Sequence, residues 1–258
     1  MYKFLRIAVV IPALNEERKI GTTIKDLPSF VDHVVVVNDG SDDDTTRIAR
    51  SVRDHHVTVL EHPHTRGVGA AICTGYRWAL KEQFDATVVV GADGQMDPNE
   101  MCALLEPLVS QQADYVKGER LSHPQVWTTM PTTRLLGTRL LTWVTRMITG
   151  YEHLTDAQCG YTAISQHALA LVPLDELYPQ YGFPNDLLVK LAQLGLRISE
   201  TPVTPIYGQD TSKMKIHRVV GPLSWLLAKA FVKAQLRRRS TTQPARLDDQ
   251  GDANATTF

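Results

Sequence analysis

The residues best suited to chemistry stand in short polar clusters, each directly after an apolar run. Asp93 and Gln95, within Gly91-Ala92-Asp93-Gly94-Gln95, offer oxygen ligands two residues apart. Hard divalent cations such as Mg²⁺ and Mn²⁺ prefer such ligands, and a cation held there against a diphosphate neutralises charge building on a leaving group. The plain alternative is an acidic turn before a helix at Pro98. Asn38-Asp39-Gly40-Ser41-Asp42-Asp43-Asp44-Thr45 is a strand–turn–helix junction with Asp44 or a neighbour as N-cap. A cap needs one acidic residue, whereas Asp39 sits at the strand end, placed to accept hydrogen bonds from a base or ribose. Arg66-Gly67-Val68-Gly69 reads two ways: an anion site at a helix N-terminus, or a tight turn with close helix packing. As a dinucleotide fingerprint it is incomplete, because Ile72 stands where the third glycine belongs, which argues against an NAD-dependent oxidoreductase.

These clusters need a scaffold. Apolar β-branched runs occupy Arg6–Ile11, His33–Val37, Val57–Glu61 and Ala86–Val90, with a further run at Asp114–Lys117. Helical periodicity fills the gaps near Arg18–Leu27, Thr45–Asp54, Val68–Lys81 and Asn99–Ser110. Apolar strands alternating with helices predict an α/β fold: one domain with a central, mostly parallel sheet and helices on both faces. Chemistry in such sheets gathers at the carboxyl ends of the strands, where the polar clusters fall. Farther on, residues 134–148 place Leu136, Leu140, Trp143, Val144 and Met147 on one helical face, with Arg139 and Arg146 off it. Asp156-Ala157-Gln158-Cys159-Gly160-Tyr161 leads into a short extended run. Pro184–Leu194 reads as a helix and Arg197–Val203 as a strand.

The whole chain has 258 residues, 27 Lys+Arg against 28 Asp+Glu, 43% hydrophobic residues and three cysteines. That composition excludes a disulfide scaffold, a disordered chain and a uniformly basic nucleic-acid binder. The odd, widely spaced Cys73, Cys102 and Cys159 read as free buried thiols. No signal-peptide pattern and no long uncharged apolar stretch is present, so the expected location is the cytoplasm.

The balanced charge hides an asymmetry. Lys213–Arg239 carries eight basic residues and no acidic one, while residues 1–212 carry 18 basic and 25 acidic. From Pro222 onward, Leu223, Leu227, Ala230, Phe231 and Ala234 share one helical face, and Lys229, Lys233 and Arg237 another. Such a helix either lies in a membrane interface with its cations toward anionic headgroups, or packs on the domain with a solvated basic end. The expected divisions are a catalytic domain over 1–218, an amphipathic basic helix over 219–239, and a disordered tail over 240–258.

P-A-L-N-E-E, V-V-V-N-D-G-S-D-D, R-G-V-G-A-A and G-A-D-G-Q-M-D-P, in that order, resemble the inverting glycosyltransferases of family 2, with the GT-A fold. D-A-Q-C-G-Y, G-F-P-N-D and I-Y-G-Q-D-T-S-K-M-K narrow the resemblance to dolichyl- and undecaprenyl-phosphate mannose and glucose synthases. It covers residues 6–220 or so. The resemblance implies transfer of a hexose from a UDP- or GDP-linked sugar to a polyprenyl phosphate; the basic segment adds the expectation of peripheral contact at the inner face of the membrane. It places Pro12, Leu14, Glu16 and Asp39 in the nucleotide pocket, beside the anion-site candidates Arg66 and Gly67. Asp93 and Gln95 would hold Mg²⁺ or Mn²⁺ and the diphosphate, and Arg120 and Lys213 would lie near phosphates. Two departures stand out. Gly91 replaces the first carboxylate of the relatives' Asp-x-Asp, and Asn38 replaces a common Asp. Asp186 falls where relatives acting on hydroxyl acceptors carry a general base; a helix-capping role is its alternative. Asp156 would orient groups under the acceptor site. Two rival functions follow: the same fold acting on a soluble hydroxyl acceptor with Asp186 as base, and a catalytically weak nucleotide-sugar-binding protein.

Overall fold

The computed structural model describes residues 1–53 and 56–206. Asp54, Lys213, the 219–239 helix and the 240–258 tail therefore lie outside the described residues. The chain alternates β1 (Ile7–Ala13), α1 (Ile20–Lys25), β2 (His33–Asn38), α2 (Thr45–Ser51), β3 (Val57–Glu61), α3 (Val68–Lys81) and β4 (Ala86–Val89). A 3₁₀ turn at Pro98–Glu100 leads into α4 (Met101–Val109), β5 (Tyr115–Glu119), α5 (Val126–Thr129) and α6 (Thr132–Thr149). Then come β6 (Thr162–Ser165), α7 (Gln166–Leu171), α8 (Phe183–Gln193) and β7 (Ile198–Pro202).

The strands form one seven-stranded sheet in the order β3-β2-β1-β4-β6-β5-β7. Every pairing is parallel except those of β6, which runs antiparallel to β4 and β5. The uninterrupted valine run of β2 is buried on both faces, as a central parallel strand requires. Ile7, Val9, Ile11, Val34 and Val36 point into one core with residues of α1, α2 and α4. Val10, Val35 and Val37 point into the other, with residues of α3, α7 and α8. The expected α/β layering is present. The sequence patterns of 57–61 and 68–81 match their elements residue for residue, whereas α2 stops at Ser51. Cys73 and Cys159 are free and buried; Cys102 is free and half-buried.

One expectation needs refinement. The apolar face of residues 134–148 exists, but it points away from the core. Helix α6 buries Leu135, Thr138, Thr142 and Thr145, and leaves Leu136, Leu140, Trp143 and Met147 exposed. Threonine hydroxyls facing inward are satisfied there by backbone and side-chain partners, so small polar residues suit the packing side. Thr142 Oγ1 accepts from the Ala157 N–H at 3.0 Å, and Thr145 Oγ1 from Asn185 Nδ2 at 2.7 Å.

Candidate active site

The sheet order determines which loops can meet. After β1, the chain winds outward through β2 and β3, then returns to place β4 on the other side of β1. The strand order reverses between β1 and β4, so a crevice opens outside their carboxyl ends, the usual ligand position in open α/β sheets. Pro12 and Leu14 flank it from β1, Gly91, Asp93 and Gln95 from β4. Because β6 is antiparallel, the segment entering it, Asp156–Tyr161, arrives at this same edge. So does Arg120, one residue beyond β5.

The β1 and β2 ends are laced together. Ser41 Oγ accepts from the Asn15 N–H at 3.0 Å, and Asn15 Oδ1 accepts from the Asp42 N–H at 3.0 Å. Asn15 adopts a left-handed conformation, φ +55°, that asparagine tolerates well. Asn38 is buried and organises the junction: its amide donates to Thr46 Oγ1 at 2.7 Å, and its carbonyl accepts from Ser41. Thr45 Oγ1 accepts from the Glu16 N–H at 2.9 Å, tying the β1 loop to α2. Asp43, not Asp44, supplies the capping oxygen, accepting from the Thr45 N–H at 3.0 Å, while Asp44 pairs with Arg47. Burial pushes the Asp43 carboxyl up, but hydrogen bonds from Thr45 and Glu17 outweigh it and leave its pKa below the ordinary value.

Asp39 is 4% exposed and fully engaged. Its oxygens accept from the backbone N–H groups of Arg66 (2.9 Å) and Gly67 (2.8 Å), and His62 Nδ1 lies 2.6 Å away. His62 is held in turn against Thr74 Oγ1 at 2.9 Å. The Ala70 N–H at the start of α3 donates to Pro179 O at 2.9 Å. Thus the Arg66 and Gly67 backbone amides are answered by the chain's own Asp39, and the turn packs closely on residues 178–180. Asp39 holds the β2 end and the loop before α3 as one rigid wall. His62 stands directly after β3, at the same sheet edge as the other strand-end residues, a position that signals it in the sequence.

Past β4, Asp93 Oδ1 accepts from the Gln95 N–H at 3.1 Å, which curls the loop so that both side chains are half-buried at the edge. Among the described residues no group of three His, Cys, Asp or Glu side chains could hold a metal ion. One carboxylate and one amide fit Mg²⁺ or Mn²⁺ in the mode where substrate phosphates and water complete the oxygen shell. A Cβ built on Gly91 would lie 3.0 Å from Asp93 Oδ1, which shows how near a second carboxylate would stand.

On the β5 side Arg120 makes a two-pronged pair with Asp156, Nε to Oδ2 at 2.7 Å and Nη2 to Oδ1 at 3.1 Å. The Asp156 side chain is fully buried. Burial pushes its carboxyl up, but the charge and hydrogen bonds of Arg120, with Lys117 nearby, hold it below the ordinary range. Lys117 is buried, donates to Cys159 O, and has its amine pulled down by desolvation. Glu200 on β7, which the sequence pattern did not single out, accepts from the Thr155 and Asp156 N–H groups at 2.6 and 3.0 Å. Gln158 donates to Asn185 Oδ1 at 2.6 Å. Asp186, 8% exposed, accepts from the Tyr178 N–H at 2.8 Å. It thereby holds the 178–180 segment that packs on Gly67 and Gly69.

The sequence profile of glycosyl transferase family 2 matches residues 8–171. The chain belongs to that family. It is an enzyme of the glycosyltransferase class. It is 29% identical over 230 residues to a UDP-N-acetylglucosamine–dolichyl-phosphate N-acetylglucosaminyltransferase of Methanococcus voltae, covering 83% of this chain and 91% of that one. Identity is 33% over 209 residues with an undecaprenyl-phosphate mannosyltransferase of Micrococcus luteus, covering 78% and 83%. Among solved structures, glucosyl-3-phosphoglycerate synthase of Mycobacterium tuberculosis bound to UDP matches with a TM-score of 0.65 at 23% identity, over 90% of this chain and 80% of that chain. The same enzyme was also solved with Mn²⁺, UDP and glucosyl-3-phosphoglycerate. That likeness is one of fold.

Proposed function

We propose that this glycosyltransferase moves a hexose from a nucleotide-diphosphate sugar to a polyprenyl phosphate, with inversion at the anomeric carbon. The observation that carries the acceptor is the state of Asp186: its carboxylate is buried and engaged with the Tyr178 backbone. A sugar hydroxyl needs a base, because its own pKa lies far above neutrality; a lipid phosphate is already anionic and attacks without one. The relatives that name a dolichyl or undecaprenyl phosphate acceptor support the same choice.

The donor's base and ribose would lie along Pro12, Leu14 and Glu16. Asp39 acts behind them as a positioning residue, keeping the wall before Arg66 and Gly67 in place. Asp93 and Gln95 would hold Mg²⁺ or Mn²⁺ together with the diphosphate. A bound cation would neutralise the charge that develops as the diphosphate leaves. Arg120, oriented by Asp156, would add a fixed positive charge toward the acceptor phosphate at the β5 edge. The chain leaves the described region at Ile206, just past β7 on this edge. Lys213, outside the described residues, would serve as a second phosphate contact.

Asp93→Asn tests this reading. Transfer to polyprenyl phosphate should fall by at least about a hundredfold while the protein stays folded. Full activity in EDTA, or in the variant, would remove the cation from the reaction.

A further inference from the structure

Helix α6 is inverted in polarity. Its inner face is largely threonine, and its outer face presents Leu136, Leu140, Trp143 and Met147 at 66, 61, 59 and 56% exposure. Trp127 on the adjoining α5 is 63% exposed, with the Arg139 guanidinium 4.9 Å from its ring centroid. Of the twelve large hydrophobic residues exposed among the described ones, five belong to this face. Scattered exposed hydrophobics are ordinary, whereas a contiguous set marks an interaction surface.

Charge identifies what covers it. Between Val126 and Thr149 the charged residues are Arg134, Arg139 and Arg146, with no acid; Arg146 turns inward and donates to Leu154 O, while Arg139 stands exposed over Trp127. Three occupants could bury the leucines and tryptophans. Segment 213–239 of the same chain carries eight basic residues and no acid, so it would bring like charge against these arginines. A second copy paired about a twofold axis would bring its own arginines to the same face. An anionic lipid surface is complementary, accepting leucine side chains below the headgroups, tryptophan at the boundary and arginine at the phosphates. Among the described residues no helix is long and apolar enough to cross a membrane, so the contact would be in the plane of the interface.

We infer that the outer face of α5 and α6 is a membrane-docking surface for anionic bilayers. Its place in the fold gives the contact a use, which rests on the polyprenyl-phosphate reading above. The inner face of α6 holds Ala157 through Thr142, within the segment whose Asp156 orients Arg120. A helix lying on the lipid surface therefore sets the β5 edge of the site beside the layer in which a polyprenyl phosphate resides.

The test uses the full chain and vesicles of phosphatidylglycerol and phosphatidylcholine that contain no polyprenyl phosphate. The variant Leu136→Gln/Leu140→Gln/Trp143→Gln changes exposed positions alone, and its fold is checked by circular dichroism. It should bind these vesicles at least tenfold more weakly than the parent, while Trp143→Phe retains binding. Equal binding by parent and triple variant overturns the inference. So does a parent dimer that the triple variant dissolves, which assigns the face to a second copy. Vesicle binding that the triple variant retains in full and deletion of residues 222–258 abolishes also overturns it, assigning the membrane contact to that segment. Acceptor length separates this inference from the function it rests on. A short, water-soluble polyprenyl phosphate should be glycosylated equally by parent and triple variant, and a long-chain acceptor in vesicles less by the variant. If neither acceptor is used but vesicle binding still depends on the three residues, the acceptor reading fails and the docking surface stands.

Discussion

At Asp186 one carboxylate faces two roles, and geometry separates them. Its Oδ2 accepts the Tyr178 N–H at 2.8 Å, a hydrogen bond that an asparagine carbonyl can also accept. A general base supplies on the order of 10²–10⁴-fold in rate, so replacing one by an amide is catastrophic. Replacing a backbone anchor by a near-isostere is mild. Asp186→Asn should therefore keep kcat within about tenfold of the parent and leave the melting temperature nearly unchanged. A thousandfold loss of kcat with an intact fold would instead make Asp186 the base and move the acceptor to a soluble hydroxyl compound. The motif position of Asp186 was legible in the sequence, but its partner was not, because Tyr178 lies outside its own helix and is brought to it only by the loop before α8.

At the scale of elements, the turn before α3 shows how a local motif is decided from a distance. Gly67 has φ +109°, and a Cβ built there would lie 2.5 Å from Pro179 O. Neither the conformation nor the space admits a side chain. Gly67→Ala should destabilise the fold by about 1–3 kcal/mol from backbone strain alone, with the Pro179 clash adding to it. A urea unfolding midpoint unchanged by the substitution would contradict this account. Arg66-Gly67-Val68-Gly69 left an anion site and a tight turn equally open, because the deciding partners, Asp39 and the 178–180 segment, are remote in sequence. Helix α6 teaches the same point in another way. Its apolar face was readable from periodicity, but periodicity says which residues share a face and not which way that face turns.

For the molecule as a whole, the Arg120–Asp156 pair joins the β5 edge to the segment entering β6. The Asp156 carboxyl is held below its ordinary 3.8, so the unfolded chain takes up its proton first as pH falls. Its stabilisation is complete above pH 3.8 and fades as acid passes through the lower folded value. Asp156→Asn breaks a largely buried ion pair by removing the charge of one partner, a loss of about 3–5 kcal/mol. The variant should melt lower at neutral pH, and its melting temperature should depend less on pH below 3.8 than the parent's. Parallel acid limbs for the two proteins would show that the pair does not link folding to protons. The alternation of valine-rich runs with amphipathic segments determined the α/β class, the parallel sheet and the strand-end placement of Asp39, Asp93 and Arg120, because buried strands and half-buried helices each impose a period on the chain. The tertiary structure alone decided that Asp39 answers the Arg66–Gly67 amides, that Asp156, its backbone held by Glu200, pairs with Arg120, and that α6 turns Leu136 and Leu140 outward. Those outcomes depend on the antiparallel insertion of β6 and on contacts between residues far apart in the chain. No periodic pattern encodes such contacts, since each is chosen by which groups remain unpaired once the sheet has closed.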